Sequence, residues 1–252
     1  MYAVLQKSLD QVITIEALED AVRATQQLTK PDCPLLRRDL FGIVASSLSR
    51  EDALGMQRIL AGHGVETRAV EESNLPVLSP PKRALSFTLA PDGLRVIEFT
   101  SPQETVIPGD AFVFAAAGHV KHLAMRPHAE LELVNKWVGR GGYRQVLEKV
   151  TRDRLEDVPE FRVEFFFAGE PFRLQWILDD RSVLHANGGV FHRRDCDRLR
   201  TLLAVLAGNL PVERVNQGIA RAARGEDLVY PSVHAFEEEI VWSFYQLTRS
   251  RP

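Results

Sequence analysis

The stretch from Phe161 to Leu206 limits the fold of this chain more than any other. It reads FRVEFFFAGEPFRLQWILDD, then, after a loop, RDCDRLRTLLAVL. Phe161, Val163, Phe165 and Phe167 alternate with Arg162, Glu164 and Phe166. Phe172, Leu174, Trp176 and Leu178 alternate with Arg173 and Gln175. A period of two places each set on one face of a pleated strand. Ala168-Gly169-Glu170-Pro171 supplies turn residues between the two runs, so the pattern predicts a β-hairpin. Its aromatic face must be buried against a second layer. Leu199, Leu202, Leu203 and Leu206, at helical spacing, predict an amphipathic helix to cover it, stopped by Gly208, Asn209 and Pro211.

Before the hairpin the chain divides at Ser73–Lys82, SNLPVLSPPK, a proline-rich loop. Residues 1–72 read as an α+β domain: a strand at Tyr2–Gln6, a helix capped by Thr14, a strand at Phe41–Ser47, a helix opened by Ser49 with Asp52 in a capping-box position, and a strand at Val65–Val70. A further strand near Leu35–Arg38 would complete a ferredoxin-like split β-α-β repeat. Residues 73–83 form the linker and 84–211 a β-rich domain, with strands around Leu85–Leu89, Leu94–Phe99, Val106–Pro108 and Phe112–Ala116. The stretch from His119 to Glu160 reads as an insertion or long connection holding a helix over Tyr143–Leu155, entered through the flexible Gly139-Arg140-Gly141-Gly142. Residues 212–252 form a helical extension. In its last helix Ser232 is the cap, and Val233, Phe236, Ile240, Phe244 and Leu247 share one face. Trp242 and Tyr245 lie off that face, which makes them a candidate partner surface and allows self-association through this helix.

Three resemblances follow from these residues. The segment from Gly42 to Val77, with GIVASSLSREDALGMQRILAGHGVETRAVEE, resembles a small prokaryotic domain described as a putative signal-transducing protein; the resemblance covers about 35 residues and implies a regulatory role without specifying a ligand. The β-rich part followed by one amphipathic helix is similar in layout to a pleckstrin-homology-like barrel, whose C-terminal helix plugs one open end. A split barrel, or an open sheet under a covering helix, fits the same elements. The motif N-x-G-x-A at Asn216–Ala220 and the closing run SVHAFEEEIVWSFYQL are similar to the tail of uncharacterised bacterial two-domain proteins, which imply no activity.

Composition narrows the function classes. The chain is 45% hydrophobic and 26% charged with net charge −3, as expected of a globular protein, and no polybasic run suggests nucleic acid or anionic lipid as partner. The N-terminus lacks an apolar core of signal-peptide length, and no run reaches the roughly 20 apolar residues of a spanning helix, so the expectation is a cytoplasmic protein without membrane insertion. Cys33 and Cys196 lack metal spacing and read as two thiols of a reducing compartment.

The chemical candidates are few. His119, His122 and His128 lie within ten residues in GHVKHLAMRPH; on a helix, the i, i+3 pair with a third ligand suits zinc, and Glu130 or Glu132 could complete the set. A polar loop after a strand accounts for the same residues. In LHANGGVFHRRD, Asn187, Gly188 and Gly189 favour positive φ, and their N–H groups, with His192, Arg193 and Arg194 near, could form an anion nest. A tight turn with arginines in solvent is the alternative. The Walker, dinucleotide and G-x-S-x-G patterns are absent. The sequence therefore leads to a non-enzymatic module binding a protein partner or small ligand, with no cofactor; the rival is a metal-dependent enzyme using the three histidines.

Overall fold

The predicted hairpin forms β8 (Tyr143–Phe167) and β9 (Phe172–Leu178), antiparallel, with Phe165 opposite Leu174 and Val163 opposite Trp176. The structure, a computed structural model, describes residues 1–137, 139, 142–168, 172–178, 182–226 and 229–249, with the backbone alone at 101, 102, 143, 172 and 196. The turn residues Gly169, Glu170 and Pro171, and Arg140 and Gly141 of the glycine-rich stretch, lie outside the described residues.

The chain is mixed α+β. Residues at its start build β1 (Tyr2–Gln6), α1 (Ile15–Arg23), α2 (Cys33–Arg38), β2 (Ile43–Leu48), α3 (Arg50–Gly62) and β3 (Thr67–Glu71). Thr14 and Ser49 cap α1 and α3 by accepting from the N–H of Ala17 and Asp52, at 3.2 and 3.0 Å. The Asp52 carboxylate leaves the capping box and accepts from Gln26 N instead. β1 is central, antiparallel to both β2 and β3. The strand expected near Leu35–Arg38 is helix α2: Pro34 sits in its first turn, where a missing N–H costs nothing. The three-stranded sheet buries one face under α1 and α3, through Leu18, Val22, Met56 and Leu60 among others.

The second sheet runs β11-β10-β4-β9-β8-β7-β12, with β5 and β6 added beside β4. Its members are β4 (Lys82–Ala90), β5 (Gly93–Glu98), β6 (Ser101–Pro108), β7 (Phe112–Trp137), β10 (Val183–Ala186), β11 (Gly189–His192) and β12 (Val229–Tyr230), besides β8 and β9. The outer strands β11 and β12 do not pair with each other, so the sheet is open and the closed-barrel expectation fails. Helix α4 (Cys196–Asn209) covers one face as the pattern predicts, with Leu199, Leu202, Leu203 and Leu206 buried against Phe161, Val163, Phe165 and Trp176. Helix α5 (Gln217–Ala222) joins this layer through Ile219.

The final helix α6 (Val233–Arg249) packs on both sides. Phe236, Ile240 and Phe244 meet Phe114 and Phe166 on the other face of the large sheet. Val241, Trp242 and Tyr245 meet Ala3, Leu5, Ile43 and Val70 on the open face of the small sheet. Trp242 also donates its indole N–H to Gln6 O at 2.7 Å. At Gly42, with φ of 99°, a Cβ would stand 2.4 Å from the Trp242 ring, so this turn takes glycine for both space and backbone. The apolar second face of α6 is thus covered by the chain's own first sheet, and Trp242 and Tyr245 are removed as a partner surface. Self-association through α6 loses its surface with them.

The N-x-G-x-A motif has a structural role. Asn216 caps α5 by accepting from Ile219 N at 3.1 Å and clamps β7, accepting from Ala117 N and donating to Ala117 O, both at 3.0 Å. A Cβ on Gly218 would lie 1.9 Å from Ala117 O. We expect Gly218→Ala to lower the unfolding free energy by ~2–4 kcal/mol, because the clamp must open to admit the methyl group. Urea titration checks this, and a loss below about 0.5 kcal/mol would refute the close approach.

Candidate functional site

The stretch between His119 and Glu160, expected to be an insertion, is largely exposed. β7 and β8 pair antiparallel without a break from Phe114–Phe166 to Trp137–Tyr143. Neighbouring strands end early: β12 pairs with β7 at His119 and Val120, and β9 pairs with β8 from Phe161 onward. Beyond them, residues 121–137 and 143–159 form a two-stranded ribbon with both edges open among the described residues. At ~3.3 Å per residue it projects by roughly 50 Å. The helix expected at Tyr143–Leu155 is part of strand β8. Val146, Leu147 and Val150 mimic a helical stripe, but in the strand Leu147 points to the opposite face from the two valines.

Alternation gives the ribbon two unlike faces. Opposed residues share a face in an antiparallel pair. Odd-numbered positions carry Leu123, Met125, Leu131 and Leu133 on β7, matched by Leu147 and Leu155 on β8. They are 56–71% exposed. Trp137, near the tip, is 62% exposed. The same parity carries Lys121, Lys149, Asp153 and Asp157, so the face has no net charge. Even-numbered positions are mostly charged and joined across the strands: Arg152 to Glu132 at 2.9 Å and Lys136 to Glu148 at 3.0 Å. At the tip Gly139 and Gly142 take φ of 62° and 81°, and Gly142 N donates to Gly139 O at 3.2 Å.

The strand geometry separates the three histidines. His119 faces one way, its ring 5.1 Å from that of Phe161. His122 and His128 face the other way, six residues and so ~20 Å apart. His122 Nδ1 stands 3.2 Å from Glu160 Oε2 without hydrogen-bond geometry, and His128 lies 3.7 and 3.9 Å from Glu130 and Glu156. The zinc reading is therefore corrected: among the described residues no group of three or more His, Cys, Asp or Glu is arranged to hold a metal ion. The i, i+3 spacing converges on a helix but diverges on a strand.

The Asn187 loop is a two-residue turn between β10 and β11, with Asn187 and Gly188 at φ of 48° and 76°. Two of its backbone donors are used inside the fold. Asn187 N donates to Phe87 O, and His192 N donates to the Asp195 carboxylate at 3.0 Å. Gly189 pairs with Ala186 across the hairpin. Arg194 is exposed and Arg193 half-buried. Of the six residues proposed for a nest, Asn187 lines a cavity at the end of the large sheet.

Two buried polar networks were not anticipated. Arg173, 3% exposed, forms a bidentate pair with the fully buried Glu164 at 2.7 and 3.0 Å and reaches Glu237 of α6 at 2.7 Å. Burial works against the Arg173 charge, but its two carboxylates prevail and raise its pKa. The second network joins Tyr230, Asn216 and Glu239. The Tyr230 hydroxyl donates to Glu239, as does Gln217 N, and Asn216 Nδ2 donates to the Tyr230 oxygen at 2.8 Å. Burial pushes the Glu239 carboxyl up to about 7 against the lowering effect of these donors, and burial beside Asp39 pushes Glu238 up to about 8. These groups tie α6 and α5 to the sheet. Gln217, whose N–H belongs to the second network, also lines a cavity of about 240 Å³ with Arg37 and Arg221.

The raised Glu239 pKa has a signed consequence. Between pH 4.5 and about 7 the folded chain holds a proton that the unfolded chain has lost, so stability falls as pH rises through this window. Glu238 acts in the same direction up to about 8. We expect Glu239→Gln to flatten the decline between pH 5 and 8 by up to roughly 3 kcal/mol. Urea titrations at both pH values test this; parallel behaviour of the two proteins would contradict it.

No protein-family model, curated protein or solved structure matches the chain. No helix among the described residues is long and apolar enough to cross a membrane.

Proposed function

We propose that the protein is a non-enzymatic binding module that assembles by stacking the apolar face of its ribbon on that of a second copy. The observation behind this reading is the exposed face of Leu123, Met125, Leu131, Leu133, Leu147 and Leu155 on a ribbon that no other strand among the described residues supports. An isolated two-stranded ribbon is marginal in water, and a face this apolar calls for a cover. Each leucine offers roughly 100 Å² at the usual coefficient, so the patch with its flanks amounts to about 800 Å² per copy, the size of a standard interface. Its charges suit a copy of itself. In a twofold antiparallel stack centred between Ala129 and Leu131, Lys149 of one ribbon lies one pairing level from Asp153 of the other. The mixed charge of the face does not suit anionic lipid, which favours clustered basic residues.

The regulatory part of the proposal rests on the likeness of Gly42–Val77 to a signal-transducing domain. In the same reading residues 1–72 are a ferredoxin-like domain short of one strand, the large sheet with α4 is an opened pleckstrin-homology-like layout, and the protein works in the cytoplasm, where Cys33 stays a free thiol.

Amide hydrogen exchange at low and high protein concentration tests the assembly. Residues 121–137 and 143–159 should exchange more slowly in the concentrated sample, while β1 should not change. Protection that appears only with lipid vesicles would replace the second copy by a membrane surface. Equal exchange at both concentrations would remove the reading.

A further inference from the structure

Away from the ribbon, a cavity of about 590 Å³ opens at the end of the large sheet, within the range of small-molecule sites. Its floor is aromatic and aliphatic, with Phe165, Phe167 and Leu94 buried and Phe112 half-buried. The C-terminal end of α4 forms one wall through Val205, and Ile107 of β6 forms another. Among the described residues, Arg214 is the one charged residue in the lining. Its Nη1 donates to Phe112 O at 3.0 Å, and among the described residues no carboxylate pairs with it. The guanidinium has five N–H donors, so most are left for a ligand. Asn187, exposed, stands at the same rim; its Oδ1 accepts from Leu89 N at 2.8 Å, and among the described residues its amide N–H groups have no partner, which leaves them as further donors. An apolar floor below a rim of one unpaired cation and one amide donor complements an amphiphilic anion.

We propose that this cavity binds a carboxylate with an apolar body, its head on Arg214 and Asn187 and its tail over Phe112, Phe165 and Phe167. A volume of 590 Å³ holds roughly 20 water-sized groups at ~30 Å³ each, which suits a ligand of about 12–16 heavy atoms with some space left over. The site is independent of the ribbon, and no bond is made or broken in it.

The test is calorimetric titration of the delipidated full chain with dodecanoate, dodecanol and dodecyltrimethylammonium. One dodecanoate should bind per chain, at least tenfold more tightly than the alcohol, with no binding of the cation. Arg214→Gln should weaken dodecanoate at least tenfold and remove its advantage over the alcohol. Val205→Trp, at a position 40% exposed on α4, should fill the cavity and abolish binding. Thermal melts of both variants report folding, and Arg214→Gln decides the question if the tryptophan does not fold. Absence of saturable binding, equal affinity for the alcohol, or dodecanoate binding that survives Val205→Trp would overturn the proposal; the last result would place the ligand on the apolar ribbon.

Discussion

Leu131→Glu with Leu133→Glu should turn a self-associating protein into a monomer while leaving its fold intact. Both leucines lie at mid-ribbon, 71% and 65% exposed, so the substitutions create no cavity and bury no charge in the free chain. In the stacked pair they would place four carboxylates in an apolar centre. Each leucine loses ~1.5–3 kcal/mol of burial, and each unpaired charge adds a desolvation cost. Two positions per copy make the expected weakening at least 100-fold in the dissociation constant, or more than ~2.7 kcal/mol. The control is a change on the other face: Glu132→Gln loses one exposed ion pair with Arg152 and should leave association within a factor of about three. If both variants associate equally well, the apolar face is not the interface.

Arg173→Met should be the most damaging single change to stability, at ~3–5 kcal/mol, because it strands Glu164 in a fully buried site. Gln175 still donates to Glu164, but an amide does not neutralise a carboxylate. The double variant Arg173→Met with Glu164→Leu should recover most of the loss, since an apolar pair of similar volume removes the desolvation cost of both ions. Urea titration of the two single variants and the double variant measures the coupling. A cost below about 1 kcal/mol for Arg173→Met would show that Glu164 finds water or another donor. The same variant should loosen α6, because Arg173 also reaches Glu237.

The sequence shows the core of the large sheet clearly, because strong alternation and a leucine stripe each carry a period that only one element satisfies. Phe161–Phe167, Leu174–Leu178 and Leu199–Leu206 fall where that periodicity places them. The ribbon is harder to read. The period-two signal is present in Ala129-Glu130-Leu131-Glu132-Leu133, but its partner strand reads Val146-Leu147-Glu148-Lys149-Val150, which also matches a helical stripe. Pairing across the tip decides between them, and a single segment does not reveal its partner. The histidine reading failed with it, since helix and strand send the same spacing in opposite directions.

Burial on both faces explains the other omissions. Glu164, Arg173 and Gln175 alternate with the core and so read as a solvent face, yet α6 covers them from residues more than 60 positions away. Trp242 and Tyr245 show that a second apolar face exists but not what covers it; the first sheet of the same chain does so. The cavity above Phe165 and Phe167 is equally hidden, because its lining comes from β5, β6, β7 and the end of α4.

A second copy of the chain is expected to cover the ribbon. Sedimentation equilibrium of the tag-free chain across low to high micromolar concentration tests it most directly. The expected result is a reversible rise from the 28.3 kDa chain mass to twice that value, lost in Leu131→Glu with Leu133→Glu. A single species at the chain mass throughout that range would contradict the account.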